Sequence, residues 1–210
     1  MSEVAPAEER IVRYSFRERV MHWLAGFSYL YVLASGLAFY DPHLYWLAAI
    51  LGGGPAGRFW HPWIGLMFMV AMVWMHQMWR NEMRITETDR QWSREVRKYI
   101  ENRDEEAPPS DRFNAGQKQF YWVMLVSAVL LLISGIVMWG PEFVPKSIRP
   151  VAVFIHEIAA LITIGAFIIH VYMGLFMVPQ SLRAIVQGYV SPRWARVHHR
   201  LWFNRVASRE

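Results

Sequence analysis

Apolar residues in this chain come in long unbroken runs, and the charged residues are gathered between them. Residues 20–40, 59–79 and 119–140 contain no Asp, Glu, Lys or Arg, and 150–182 contain a single charge, Glu157. Each run reaches the roughly 20 residues that a helix needs to cross a hydrocarbon core of about 30 Å. The pattern predicts four transmembrane helices over these ranges, the fourth long enough to tilt or to project beyond the bilayer. One such run would fit a helix buried in a soluble core; four in 210 residues argue for an all-α integral membrane protein, a four-transmembrane-helix bundle. The first run lacks the form of a cleaved signal. Its leader carries Glu3, Glu8, Glu9 and Glu18 among four Arg, whereas a signal peptide has a short basic start and a short apolar core.

The segments between the runs complete the plan: a tail over 1–19, a membrane domain over 20–182 interrupted by a long loop at 80–118, and a second tail over 183–210. Within the long loop, 89–101 (DRQWSREVRKYIE) sets Trp92, Val96, Tyr99 and Ile100 at helical spacing, as expected of a short amphipathic helix on a membrane surface. The following ENRDEEAPPSD reads as a turn or flexible loop. The stretch LYWLAAILGGGPAG after the first run is too short to span and is expected to lie in the interface. No internal repeat is evident.

Composition sharpens the picture. The chain is 54% hydrophobic and only 19% charged, below the roughly one quarter usual for soluble domains. It has eleven Trp and twelve Met; Trp favours membrane interfaces and Met packs around irregular groups. With no cysteine, disulfides, thiolate zinc sites, Cys-ligated iron–sulfur clusters and covalently attached haem are excluded, so metal chemistry falls to the eight His. The net charge is +5, and its placement is informative: 19 of the 22 Lys and Arg lie in the two tails and the 80–118 loop, leaving only Arg58, Lys146 and Arg149 in the other two loops. By the positive-inside rule both termini and the long loop are cytoplasmic. That bias accounts for the basic charge without a nucleic-acid partner.

Histidine inside a span is costly and usually functional. His156 and His170 share the fourth run, 14 residues apart. At about 100° and 1.5 Å per residue they fall near one helix face, roughly 21 Å apart in depth. His61 opens the second run at the outer level of His156, and His22 opens the first at the inner level of His170. Topology therefore gives two His pairs, His61 with His156 and His22 with His170. Facing imidazoles in an apolar bundle are what a b-type haem needs as axial ligands; the bland alternative is interhelical hydrogen bonding. His76, 15 residues after His61, lies at the depth of an inner site and is an alternative to His22, or caps a helix end. His43, His198 and His199 read as surface. Gly26, Gly36, Gly65, Gly135 and Gly165 would let a porphyrin approach the backbone, or serve plain helix packing. Arg17 and Arg19 inside, and Arg58 or Arg149 outside, are candidates for haem propionates, or simply set topology.

These motifs together resemble the gamma subunit of membrane-bound respiratory formate dehydrogenase, a four-helix di-haem cytochrome b. The resemblance runs through RERVMHW around His22, GRFWHPWIG around His61, RFNAGQKQFYW, IHEIAALITIGAFIIHVYMG around His156 and His170, and VSPRWARVHHRLW. It implies two haem b groups, the outer on His61 and His156 and the inner on His22 and His170. It implies a menaquinone site on the cytoplasmic side, where Asn114, Gly116 and His170 match positions touching the quinone, with Gln117 nearby. Read alone, NAGQ is a turn capped by Asn114 at a helix start, and both roles are compatible. His76 is outside the family's ligand pattern. The resemblance further implies an iron–sulfur beta subunit and, through it, a periplasmic alpha subunit that oxidises formate at a molybdenum or tungsten pterin; this chain would anchor them in the inner membrane and pass electrons to quinone without itself oxidising formate. The alternatives are the cytochrome b subunit of a nickel–iron hydrogenase or other periplasmic oxidoreductase and, from another class, a haem-free transporter or structural anchor.

Overall fold

The computed structural model describes residues 10–101 and 103–208. Glu3, Glu8 and Glu9 of the N-terminal tail, Asn102 and Arg209 lie outside the described residues. The elements are β1 (Ile11–Val12), α1 (Phe16–Tyr40), α2 (Trp46–Ile50), α3 (Gly54–Trp79), α4 (Glu87–Arg94), α5 (Val96–Ile100), α6 (Ala115–Trp139), α7 (Arg149–Tyr172), α8 (Ser181–Gln187), β2 (Tyr189–Val190), α9 (Pro192–His198) and α10 (Arg200–Ala207). This is an all-helical membrane protein; among the described residues the only strand pairing is one antiparallel contact, Ile11 with Val190 and Val12 with Tyr189.

Among the described residues, three helices are long and apolar enough to cross a membrane: Phe16–Tyr40, Ala115–Trp139 and Arg149–Met177. The uncharged run 59–79 predicts a fourth, in α3. That helix has 26 residues and no charge after Arg58, but four Trp, two His and two Pro hold its mean hydropathy down. The fourth run also ends earlier than its lack of charge suggests. α7 stops at Tyr172, a wider turn follows in which Val178 N–H donates to Met173 C=O (3.0 Å), and Gln180 takes a left-handed φ of 68°. Pro179 explains the stop, because a proline has no N–H to continue the ladder and disfavours helical backbone before it.

The chain divides into two compact units. One comprises 20–79 and 122–169 and contains most of the four long helices. Its interior is lined by small and hydroxyl residues: Ala71, Ala159, Ser28, Ser35, Ser134 and Thr163 are all 3% exposed or less. Its outside is apolar, with Phe27, Phe154, Leu161 and Ile168 all more than 60% exposed. Small residues let helix backbones approach closely, and large apolar side chains on the exterior suit lipid. Rings bridge the helices: Tyr29 of α1 meets Phe68 of α3 at 5.7 Å and Phe167 of α7 at 5.0 Å, and Trp63 of α3 meets Trp139 of α6 at 5.0 Å. Tyr45, Trp46 and Ile50 around α2 are exposed, as an interfacial segment requires. Glu157 is exposed on α7.

The second unit comprises the described residues up to 19, 80–121 and from 170 onward. It is held by polar side chains. Arg13 is 2% exposed; its guanidinium donates to the Arg112 carbonyl (2.8 Å) and lies 4.9 Å from the centre of the Trp194 ring. Arg112 donates back to the Arg13 carbonyl (2.6 Å) and pairs with Glu18 (2.7 Å) and Glu82 (2.9 Å). Burial opposes the Arg112 charge, but the carboxylates of Glu82 and Glu18 more than offset it and raise its pKa. The amphipathic segment expected over 89–101 is two helices, α4 and α5, parted at Glu95. Trp92, expected at a membrane surface, is instead buried against Ala107 and Ala115, with Tyr99 packed beside it.

His199, expected on the surface, is 2% exposed. Its Nε2 accepts from Arg13 (2.9 Å) and its Nδ1 donates to the Asp111 carbonyl (2.6 Å). Burial, aided by the Arg13 charge, holds its pKa well below the ordinary value. The unfolded chain therefore takes up a proton near pH 6.5 that the folded one refuses. The contribution of His199 to stability is fully present above about pH 6.5 and falls as pH drops below it, by at most about 1.4 kcal/mol per pH unit. The melting temperature of solubilised protein should drop between pH 7.5 and 5.5, and His199→Gln should flatten that drop; an equal drop in both proteins would contradict it.

Candidate haem and quinone sites

His61 of α3 and His156 of α7 are brought together inside the first unit, ring centres 6.3 Å apart and planes inclined by 50°. Each ring is held at Nδ1 by a serine of another helix: Ser35 of α1 at 2.7 Å from His61, and Ser134 of α6 at 2.9 Å from His156. Both serines are followed by glycine. A Cβ on Gly36 would stand 3.6 Å from Cε1 of His61, and one on Gly135 3.4 Å from Cε1 of His156. With Nδ1 engaged, Nε2 is the nitrogen left to each ring for a metal.

This arrangement fits a haem. Metal–imidazole bonds of about 2 Å on opposite sides of one metal put the two ring centres about 6 Å apart. Space is present as well: a Cβ at Gly26, Gly65 or Gly165 would meet nothing within 4 Å. Gly26 and Gly65 lie four residues after His22 and His61, on the same helix faces. Gly36 and Gly135 instead face the imidazoles themselves. Of the propionate candidates, Arg17 and Arg58 are exposed, while Arg19 donates to the Val186 carbonyl.

The other histidines are placed as follows. His22, on the second turn of α1, meets Trp23 edge-on at 5.5 Å. His76 meets Trp122 edge-on at 6.1 Å. His170 lies flat on Phe120, ring centres 4.2 Å apart and planes within 7°. His22 and His170 belong to different units, and their pairing is an inference from helix depth.

At the start of α6, Asn114 and Gln117 form a reciprocal cap. Gln117 N–H donates to Asn114 Oδ1 (2.9 Å), and Asn114 N–H donates to Gln117 Oε1 (3.0 Å). The capping role read from NAGQ is thus present. It has a chemical consequence. Both side-chain carbonyls are turned to the backbone, so the amide NH₂ groups are what each residue can offer a ligand, and both are donors. Gly116 lies in the first turn, where N–H groups have no carbonyl four residues back. A Cβ on Gly116 would come within 3.4 Å of Trp92 and 3.5 Å of Asn114 Oδ1. Next to this turn, Lys118 and Asp89 form a buried ion pair (2.7 Å), and Asp89 closes the capping box of α4 with Thr86.

Three residues beside the histidines were not singled out from the sequence: Ser35, Ser134 and Phe120. The repeated Ser-Gly pair in two apolar runs, 35–36 and 134–135, was the available signal.

A helical membrane protein with paired interior histidines is the setting in which the family match falls. The model of the prokaryotic cytochrome b561 family matches residues 13–188, and the chain belongs to that family. It is therefore a membrane cytochrome b, a haem protein, which removes the haem-free transporter and anchor readings. Among its relatives, the cytochrome b556(fdo) subunit of formate dehydrogenase from Escherichia coli strain K12 is 35% identical over 202 residues, 94% of each chain. The cytochrome b556(Fdn) subunit of the nitrate-inducible formate dehydrogenase of the same strain is 30% identical over 95% of this chain and 93% of its own. The formate dehydrogenase cytochrome b556 subunit of Haemophilus influenzae is 29% identical over 93% and 83%.

Proposed function

We infer that this chain is the membrane-anchoring cytochrome b subunit of a formate dehydrogenase and passes electrons to a quinone. The observation that carries the reading is the 35% identity along 94% of both chains to such a subunit. All four long helices span the membrane, α3 included, and the Lys and Arg bias puts both termini and the 80–118 loop in the cytoplasm.

The chain would hold two haem b groups. His61 and His156 would hold the outer one, supported by their facing rings. His22 and His170 would hold the inner one, supported by their common depth in the sequence pattern. The chemistry these groups would supply is single-electron transfer. What the chain supplies is position: helices α3 and α7 fix the ligand rings, and the apolar exterior keeps the path out of water.

The quinone, a menaquinone by resemblance, is held at the start of α6. The NH₂ groups of Asn114 and Gln117 and the N–H of Gly116 are donors, and a quinone carbonyl is an acceptor. By resemblance His170 also serves this site; what supports it is the stacking of its ring on Phe120, on the same helix α6. Reduction of quinone to quinol takes up two electrons and two protons; at this position the protons come from the cytoplasm, so turnover adds to the transmembrane potential. The partners are an iron–sulfur beta subunit and, beyond it, a periplasmic catalytic subunit with a molybdenum or tungsten pterin.

The test is reduction of the haem in the purified intact complex by each candidate donor. Formate should reduce it within seconds and hydrogen should not. Reduction by hydrogen alone would replace this reading with the hydrogenase one.

A further inference from the structure

The geometry points to Ser35 and Ser134 as positioning residues of the outer haem: each fixes the proton and the ring plane of one axial histidine, and together they lower the potential of that haem. The inference rests on the reading of His61 and His156 as its ligands.

The two serines are built alike on different helices. Ser35 Oγ lies 2.8 Å from the Tyr31 carbonyl, and Ser134 Oγ lies 2.6 Å from the Leu130 carbonyl, each four residues back. The second carbonyls, of Val32 and Leu131, are at 3.2 and 3.3 Å. A hydroxyl has one proton, and two oxygens stand this close only with that proton between them. Each serine therefore donates into its own helix, and its lone pair faces the histidine. Nδ1 must carry the hydrogen and donate it, at 2.7 Å for His61 and 2.9 Å for His156. The proton is thereby excluded from Nε2, which keeps the lone pair that binds iron. Both hydroxyls are buried, Ser35 at 1% and Ser134 at 3% exposure, so water does not substitute for them in the folded chain.

Ring orientation follows from the same contacts. Nδ1 is tied to the serine, and Cε1 faces the following glycine, where an added Cβ would stand in ordinary van der Waals contact at 3.6 Å (Gly36) and 3.4 Å (Gly135). The hydrogen bond at Nδ1 is what fixes the turn of each ring about its Cβ–Cγ axis. A donated Nδ1–H also pushes electron density toward Nε2 and makes the ring a stronger donor to iron, which favours the oxidised haem. Serines already donating to a carbonyl are the better acceptors for it.

The test uses Ser35→Ala, Ser134→Ala, the double variant and the matching Thr variants, each in the intact complex, with haem per chain, redox titration and the low-spin electron paramagnetic resonance spectrum as readouts. The Ala variants should keep two haems per chain. One haem should titrate at a more positive potential with an altered resonance spectrum, further in the double variant, while the other haem is unmoved. Threonine, which keeps the hydroxyl, should return both readouts to those of the unaltered protein. Wild-type potentials and spectra in fully loaded Ala variants would overturn the proposal, as would Thr variants that shift as far as Ala. Haem loss in the Ala variants supports it if Thr restores the haem and overturns it if Thr does not. Retention of both haems in His61→Ala would remove the ligand reading instead.

Discussion

Replacing His61 or His156 with alanine should lower the haem content of the assembled chain from two groups to one and stop electron entry. The two rings face each other at 6.3 Å, so either substitution leaves one imidazole opposite an empty cavity. Changes merely around a metal site lower affinity or activity roughly 10–100-fold, and loss of a ligand should exceed that. Formate-driven quinone reduction should therefore fall more than about 100-fold. The remaining haem should be reducible by dithionite but not by formate. His76→Ala is the contrasting variant: its ring meets Trp122 edge-on, and both haems should stay. Two haems in His61→Ala, or one in His76→Ala, would show that the ligand set is wrong.

The second large effect is expected at Asn114, where capping and ligand binding can be separated. Alanine removes both and costs about 1 kcal/mol in lost capping alone. Aspartate keeps an oxygen to accept from Gln117 N–H, and its negative charge suits a helix start. It takes away the NH₂ donors. Asn114→Asp should thus keep the fold and both haems, still reducible by formate, while quinone reduction drops about tenfold, the size of one lost hydrogen bond to a ligand. Asn114→Ala should show the same loss with a lowered melting temperature in addition. Unchanged quinone turnover in Asn114→Asp would remove the residue from the site.

Much of this was legible in the chain because lipid imposes a simple rule on sequence. Uncharged runs marked α1, α6 and α7, and Asn114 was readable as a cap because the capping box is local. The His61–His156 encounter was legible from depth alone, since two residues at one level of a bundle have few places to be. What failed to show were contacts set by the tertiary arrangement of polar groups. His199 carried the look of a basic tail, yet Arg13 and Asp111, both distant in sequence, bury it. Trp92 sat on an amphipathic pattern that suits a membrane surface as well as a protein one, and Ala107 and Ala115 decided the matter. Ser35 and Ser134 looked like ordinary small residues of a membrane helix; their role depends on rings carried by other helices. In α3 the four Trp, two His and two Pro weaken the hydropathy by which a span is recognised.

The central proposal is that interior histidines of the bundle hold iron porphyrin at two depths. Quantification of haem against polypeptide in the natively assembled protein, read with its reduced-minus-oxidised spectrum, tests this most directly. The expected result is two non-covalent b-type haems per chain, both low-spin. One haem per chain, or a high-spin spectrum with an open iron position, would contradict it.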